Sequence, residues 1–147
     1  MMVQIAAQEN LTMHQMDVKS AFLHADLEEE IFMQPPKGYE QYSPNGKMFV
    51  WKLRKSLYGL KQSGRNWFRL LESFLLDDCS FQNNIDPCTF ILRTDADEKM
   101  IILVWVDDLI MVSSSQELLN CIKEQLKKRF EMKDLGEVIH FLGIEFS

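Results

Sequence analysis

The chain is 147 residues long, 46% hydrophobic and 26% charged, the balance of one ordinary globular domain, which excludes a disordered or low-complexity segment. Its net charge of −6 argues against nucleic-acid binding as a whole-chain average, so such a function would have to come from an uneven charge distribution. No apolar run approaches a membrane span, MMVQIAAQENL does not read as a signal peptide, and Cys79, Cys88 and Cys121 form no CxxC pair; neither a zinc site nor a disulfide framework is suggested, and a reducing intracellular compartment is expected.

Residues 1–12 read as the tail of a helix that begins at a methionine without a cap, as if the chain started inside an element. Thr12 to Val18 reads as a short strand carrying a lone acid, Asp17, near its end. Asp17 is either a cap for the residues that follow or a functional acid held at a buried strand end. Lys19 to Leu23 is a turn or short helix. Glu28-Glu29-Glu30, a solvated edge, leads into a strand at Ile31 to Met33. Gln34-Pro35-Pro36-Lys37-Gly38 ends that strand, since proline cannot continue a ladder. Residues 35–47 form a loop with a turn at Pro44-Asn45-Gly46, and Met48 to Leu53 is a second strand.

From Lys47 to Arg69 the chain carries Lys47, Lys52, Arg54, Lys55, Lys61, Arg65 and Arg69 and no acid, interleaved with Tyr58, Trp67 and Phe68. Such a stripe suits a nucleic-acid backbone or a triphosphate; it equally suits a solvated helix face. Ser63 can cap a helix running to about Asp78, with Trp67, Leu70, Leu71, Phe74 and Leu75 on its core face. Cys88 to Arg93 and Lys99 to Val106 are strands joined by a polar turn at 94–98. A further apolar run follows at Leu109 to Val112, and the adjacent acids Asp107-Asp108 stand between the two runs. Two residues are the length of a tight hairpin loop, which would lift both acids to one lip of a core. The acids are then either an exposed turn touching only water, or a repelling pair whose charge needs cations, for which two Mg²⁺ ions are a known solution. Ser114 with Glu117 forms a capping box for a helix to about Phe130, with Leu119, Ile122, Leu126 and Phe130 inward and Lys127, Lys128 and Arg129 in its last turn. Gly136 breaks the chain again, and Val138 to Phe146 reads as a closing hairpin around Gly143. If the strands neighbour in one antiparallel sheet, Asp17 and the acid pair converge at one end.

In order along the chain, QMDVKSAFLHADLEEEIFMQPPKGYE, KLRKSLYGLKQSGRNWF, LVWVDDLIMVS and FEMKDLGEVIHFLGIEF resemble the reverse transcriptase of copia-type retrotransposons, and together they span nearly the whole sequence. The resemblance implies an RNA-directed DNA polymerase that extends a primer 3′ end by two-metal nucleotidyl transfer. Asp17, Asp107 and Asp108 match the catalytic, metal-binding aspartates, and the backbone carbonyl of Val18 would serve the second metal. The ions would be two Mg²⁺, with Mn²⁺ as a substitute. Phe22 matches the aromatic gate against the sugar of the incoming nucleotide, against the alternative of an ordinary core Phe. Lys61, Gln62 and Arg65 match the nucleotide-contacting segment, Lys133 lies near a lysine associated with pyrophosphate, and Trp105, Leu142 and Gly143 match positions at the primer end. The implied partners are an RNA or DNA template with primer, deoxynucleoside triphosphates and the rest of a polyprotein, with no membrane. The implied location is a cytoplasmic virus-like particle or the nucleus.

Two departures stand out. Trp105 replaces the Tyr of most relatives, and Gly64 replaces a Pro found in many at the first helical position. The expected fold is α+β: a polymerase palm whose antiparallel sheet carries Asp17 and Asp107-Asp108 at one end, with helices near 64–78 and 115–130 on one face. A partial fingers insertion is expected at about 25–63, with upstream fingers, thumb and ribonuclease H absent. Three functions compete: a polymerase palm working within a longer polyprotein, a truncated and catalytically inert remnant of such an element, and a non-catalytic nucleic-acid-binding module built on the basic stripe. Retention of all three acids favours the first over the second, and the acidic net charge disfavours the third.

Overall fold

A computed structural model of the chain describes residues 2–83, 86–138, 140–141 and 144–145. Its elements run α1 (Met2–Gln8), β1 (Thr12–Val18), α2 (Ala21–His24), β2 (Phe32–Met33), β3 (Trp51–Lys52), α3 (Ser63–Ser73) with a π-helical turn over Phe74–Asp78, β4 (Thr89–Arg93), β5 (Lys99–Trp105), β6 (Asp108–Ser113), α4 (Gln116–Arg129), β7 (Met132–Glu137), β8 (His140–Phe141) and β9 (Ile144–Glu145). The class is α+β, as expected. The chain divides into two compact units, one of residues 1–21 and 68–147 and one of residues 22–67.

The first unit is built on a five-stranded antiparallel sheet in the order β4-β5-β6-β1-β7. Its centre comes from the apolar runs read in the sequence: five of the six residues of β6 are buried, and Met100, Ile101, Ile102 and Val104 of β5 are buried with them. Such runs are what a strand needs when both of its faces are covered. One face carries Phe90, Ile102 and Met111 as cross-strand neighbours, followed by Leu109 and Met16. Phe68 of α3 meets Phe90 on this face with ring centroids 6.4 Å apart, and Phe74 of the π-helical turn meets Phe130 at the end of α4 edge-on at 5.4 Å. Leu119, Ile122 and Leu126 of α4 are buried at the spacing of one helical stripe. The opposite face has a cover that the sequence did not suggest: Ala6 of α1 clusters with Ile101, Ile110 and Val112.

In the second unit, β2 and β3 pair through Phe32↔Lys52 and Met33↔Trp51. The strand expected over Met48 to Leu53 shortens to Trp51–Lys52, both exposed, because nothing in this stretch buries one face of a longer ladder. Gly46 turns with φ +74 and donates its amide to the Ser43 carbonyl, as its turn signal predicts. Trp67 is buried beside His24, so it serves packing rather than a ligand.

Three local expectations need correction. The cap of α4 is Ser115, whose hydroxyl accepts the Leu118 amide; Ser114 is instead tied to the Lys99 backbone across the β5–β6 hairpin. Ser63 does not cap α3 with its side chain, because its hydroxyl donates to the Leu57 carbonyl at 2.5 Å. Gly136 does not end an element: with φ +77 it sits in β7, where the pairing with β1 shifts between Gln15 and Met16. No helix among the described residues is long and apolar enough to cross a membrane.

A part-buried polar network centred on Lys123 joins α4 to the sheet. Lys123, only 4% exposed, places its ammonium 2.9 and 3.1 Å from the two oxygens of Asp134 and 2.6 Å from Nδ1 of His14. Burial, then the charge of Lys123, lowers the His14 pKa below its usual 6.5, against the opposing pull of Asp134 and Glu137. Burial alone would raise the Asp134 carboxyl. The Lys123 hydrogen bond, the Gly136 amide and the charges of Lys123 and Lys127 outweigh it and hold the pKa below 3.8. The signs follow. Between the folded and unfolded His14 values the unfolded chain binds more protons, so stability falls as pH drops below 6.5. The Asp134 contribution is present above 3.8 and is lost as pH falls through its lower folded value. His14→Asn keeps an acceptor for Lys123 but cannot titrate. It is therefore expected to flatten the decline of melting temperature between about pH 7 and pH 5, the range in which histidine changes charge. Parallel melting curves for the two proteins across that range would show that His14 is not the group responsible.

Candidate active site

The hairpin that carries the acid pair is built by its flanks. Val104 and Leu109 are both buried and face each other across β5 and β6, and Trp105 then pairs with Asp108. That register leaves Val106-Asp107, not Asp107-Asp108, as the two-residue loop, so Asp108 is the first residue of β6. Val106 adopts φ +57. A positive φ at the first loop residue matches the turns that suit the twist of a hairpin, but a β-branched residue there is strained. Strain of this kind collects at functional sites. Val106→Asn, which places a residue tolerant of this conformation at an exposed position, is expected to stabilise the chain by about 1 kcal/mol, the cost of left-handed backbone for an ordinary side chain. A melting temperature that does not rise would mean the strain is absent.

The sheet register gathers the predicted residues into one row. Trp105 of β5 pairs with Asp108 of β6, Asp108 pairs with Asp17 of β1, and Asp17 pairs on its other side with Lys133 of β7. Directly opposed residues share a face. Asp107 joins the row through the backbone, its carbonyl accepting the Val18 amide at 2.8 Å. Asp17 lies within β1, four residues before α2 begins, and so is not the cap of that helix.

The electrostatics of the row are unfavourable by themselves. Like charges directly opposite in a sheet destabilise it. Burial, then the charges of Asp107 and Asp108, push the Asp17 carboxyl above its usual value, with Lys133 pulling it back. Gln15 donates to Asp108 Oδ1 at 2.8 Å and so orients that carboxylate. Sequence reasoning missed Gln15, although its place two residues before Asp17 puts both side chains on the same face of the strand. Among the described residues no group of three or more His, Cys, Asp or Glu side chains stands ready to hold a metal ion. What favours a cation is the chemistry of the donors, hard oxygen ligands of the kind Mg²⁺ takes, and the repulsion that a cation would relieve.

The other predicted residues fall in two places. Phe22, Lys61, Gln62 and Arg65 belong to the unit of residues 22–67. There Phe22 is half-buried, with its ring 4.3 Å from that of Tyr58 between centroids. Lys61 and Arg65 are exposed, and Gln62 lies 3.5 Å from Glu29. Leu142 and Gly143 lie outside the described residues; the strands on either side of them, β8 and β9, pair antiparallel.

A profile of the family described as reverse transcriptase (RNA-dependent DNA polymerase) matches residues 1–147. The chain is 42% identical over 141 residues to the retrovirus-related Pol polyprotein from transposon TNT 1-94 of Nicotiana tabacum, covering 96% of this chain and 10% of the relative. It is 34% identical to the retrovirus-related Pol polyprotein from transposon RE1 of Arabidopsis thaliana, covering 96% of this chain and 9% of the relative. To the transposon Ty1-NL2 Gag-Pol polyprotein of Saccharomyces cerevisiae it is 35% identical, covering 90% and 7%. The chain thus spans about a tenth of the length of the curated relatives it matches.

Proposed function

Because the chain belongs to the reverse transcriptase (RNA-dependent DNA polymerase) family of copia-type retrotransposon Pol polyproteins, we propose that it carries the palm and part of the fingers of an RNA-directed DNA polymerase. The observation that carries this reading is the row at the sheet end: Asp17 and Asp108 directly opposed, with Asp107 on the adjoining loop. A fold under selection for stability alone has no reason to set Asp108 opposite Asp17 with Asp107 next along the chain, where both charges push the Asp17 carboxyl upward.

In this reading Asp17, Asp107, Asp108 and the Val18 carbonyl would hold two divalent cations, Mg²⁺ by donor type. Bound there, such ions would supply the charge stabilisation that nucleotidyl transfer needs. The chain's own residues do the rest. Gln15 fixes the rotamer of Asp108 by its hydrogen bond. Trp105, exposed beside Asp108 in the row, offers an aromatic face on which the primer's terminal base can stack. Lys61, Gln62 and Arg65 contact the incoming triphosphate, and Phe22 stands against its sugar. Leu142 and Gly143 position the primer end. Template, primer and deoxynucleoside triphosphates are the substrates, and the remainder of a Pol polyprotein is the covalent context.

The test is substitution of this chain for the 141 matching residues of the tobacco relative's polymerase. The chimera is expected to extend a DNA primer on an RNA template when Mg²⁺ is supplied. A folded chimera that binds template and primer yet adds no nucleotide would overturn the reading and favour an inert remnant.

A further inference from the structure

Five of the six residues of the central strand β6 are buried, so a one-residue slip would turn its apolar set to the wrong face. Strand β7 has no such anchor within its own six residues. Among the described residues it is the outermost strand and pairs only with β1, and of Met132-Lys133-Asp134-Leu135-Gly136-Glu137 only Met132 and Gly136 are even half-buried. Within the strand itself, hydrophobic burial therefore specifies the register only weakly; the nearest apolar contact is that of Val138, just beyond it, against the cluster of Ala6, Ile101, Ile110 and Val112. Yet that register decides which side chain of β7 stands opposite Asp17, and in this fold it is Lys133.

The group that can set it is Lys123, buried in α4 and absent from the mechanism above. Its ammonium grips both oxygens of Asp134 on β7 and Nδ1 of His14 on β1. Lys127 adds a second cation 3.6 Å from Asp134. The same carboxylate accepts the Gly136 amide at 3.0 Å, closing the irregular stretch in which Met16 pairs with Asp134 and Gln15 with Gly136. A slip by one residue would bring Lys133 or Leu135 to the place of Asp134. Either would leave a buried ammonium without its carboxylate, a heavy penalty. Fixing register is the best-attested use of a buried polar contact.

We propose that Lys123 is a positioning residue: through Asp134 and His14 it locks the register of β7 on β1 and so holds Lys133 opposite Asp17. The value of this to catalysis rests on the polymerase reading; the register itself does not, and the experiment reads the register alone. The whole chain is compared as wild type, Lys123→Met, Lys123→Arg and Asp134→Asn. The measurement is cross-strand backbone NOEs for Met16–Asp134, Asp17–Lys133 and Val18–Met132, with Met16–Leu109 and Gln15–Ile110 as the internal control. The expected result is loss or a one-residue shift of the β7 contacts in Lys123→Met, with the β1–β6 contacts unchanged and Lys123→Arg restoring the native set. A lysine that merely adds stability would lower melting temperature without moving any contact, so native β7 contacts in Lys123→Met overturn the proposal. If Lys123→Met fails to fold, Asp134→Asn decides. Lost β7 contacts over an intact β1–β6 pair support the proposal. Native β7 contacts, or loss of the whole sheet in both variants, overturn it. A chimera inactive in primer extension while β7 keeps its native contacts counts against the polymerase reading and leaves the register proposal standing.

Discussion

Asp107→Asn is expected to abolish primer extension by the chimeric polymerase while leaving the melting temperature of the isolated chain unchanged or slightly raised. The two halves have separate causes. Asn is a good turn residue and keeps the backbone carbonyl that accepts the Val18 amide at 2.8 Å, so the hairpin closes as before. The change also removes one of the charges that push the Asp17 carboxyl upward, which relieves repulsion in the row. On the proposed polymerase reading the same change would also remove an anionic metal ligand. Metal ions contribute several kcal/mol of charge stabilisation to such transition states, and each ~1.4 kcal/mol is a factor of ten; a loss on the order of 10³-fold or more follows. An acid kept for stability behaves in the opposite way. If the variant melts markedly lower and the chimera still extends its primer, the hairpin is only a turn and the catalytic assignment of Asp107 is wrong.

The parts of this site that were legible in the sequence are those whose backbone position follows from burial. Val104 and Leu109 belong to runs with no polar alternation, and such runs read as central strands before any coordinates are known. Asp17 was legible for the same reason, since Met16 and Val18 on either side of it are buried. The loop was misplaced by one residue because the local rule prefers Asp in a turn and disfavours Val at positive φ, while pairing of the buried Val104 with Leu109 overrides that preference. Strand β7 was missed altogether. Met132 to Glu137 contains no apolar period, and its place in the sheet comes from Asp134 and Gly136 meeting groups over a hundred positions earlier and on a separate helix. Such information is tertiary, and no window along the chain contains it. Gln15 lies between these cases: its spacing from Asp17 was visible, but its bond to Asp108 depends on the register of β1 against β6.

Phe22→Ala is expected to let the chimeric polymerase accept ribonucleotides. Phe22 follows Asp17 by five residues and is the first residue of the unit 22–67. Its ring is neither free nor deeply buried: it is half-buried, with the Tyr58 ring 4.3 Å away between centroids. A core Phe would be enclosed, whereas a ring that must stop a 2′-hydroxyl needs a firm backing and one open face. Tyr58, itself exposed, supplies such a backing. The gain comes from removing a clash, so its size is that of a steric discrimination, on the order of tenfold to a hundredfold in relative kcat/KM. Tyr58→Ala separates backing from direct contact: it should loosen Phe22 and relax discrimination less than Phe22→Ala does. The measurement is the ratio of kcat/KM for a deoxynucleotide and the matching ribonucleotide, taken for the parent chimera and for each variant. Because it is a ratio on one protein, a general loss of folding cancels from it. An unchanged ratio in Phe22→Ala, with deoxynucleotide addition intact, would return Phe22 to packing against Tyr58 and leave the choice of sugar to another residue.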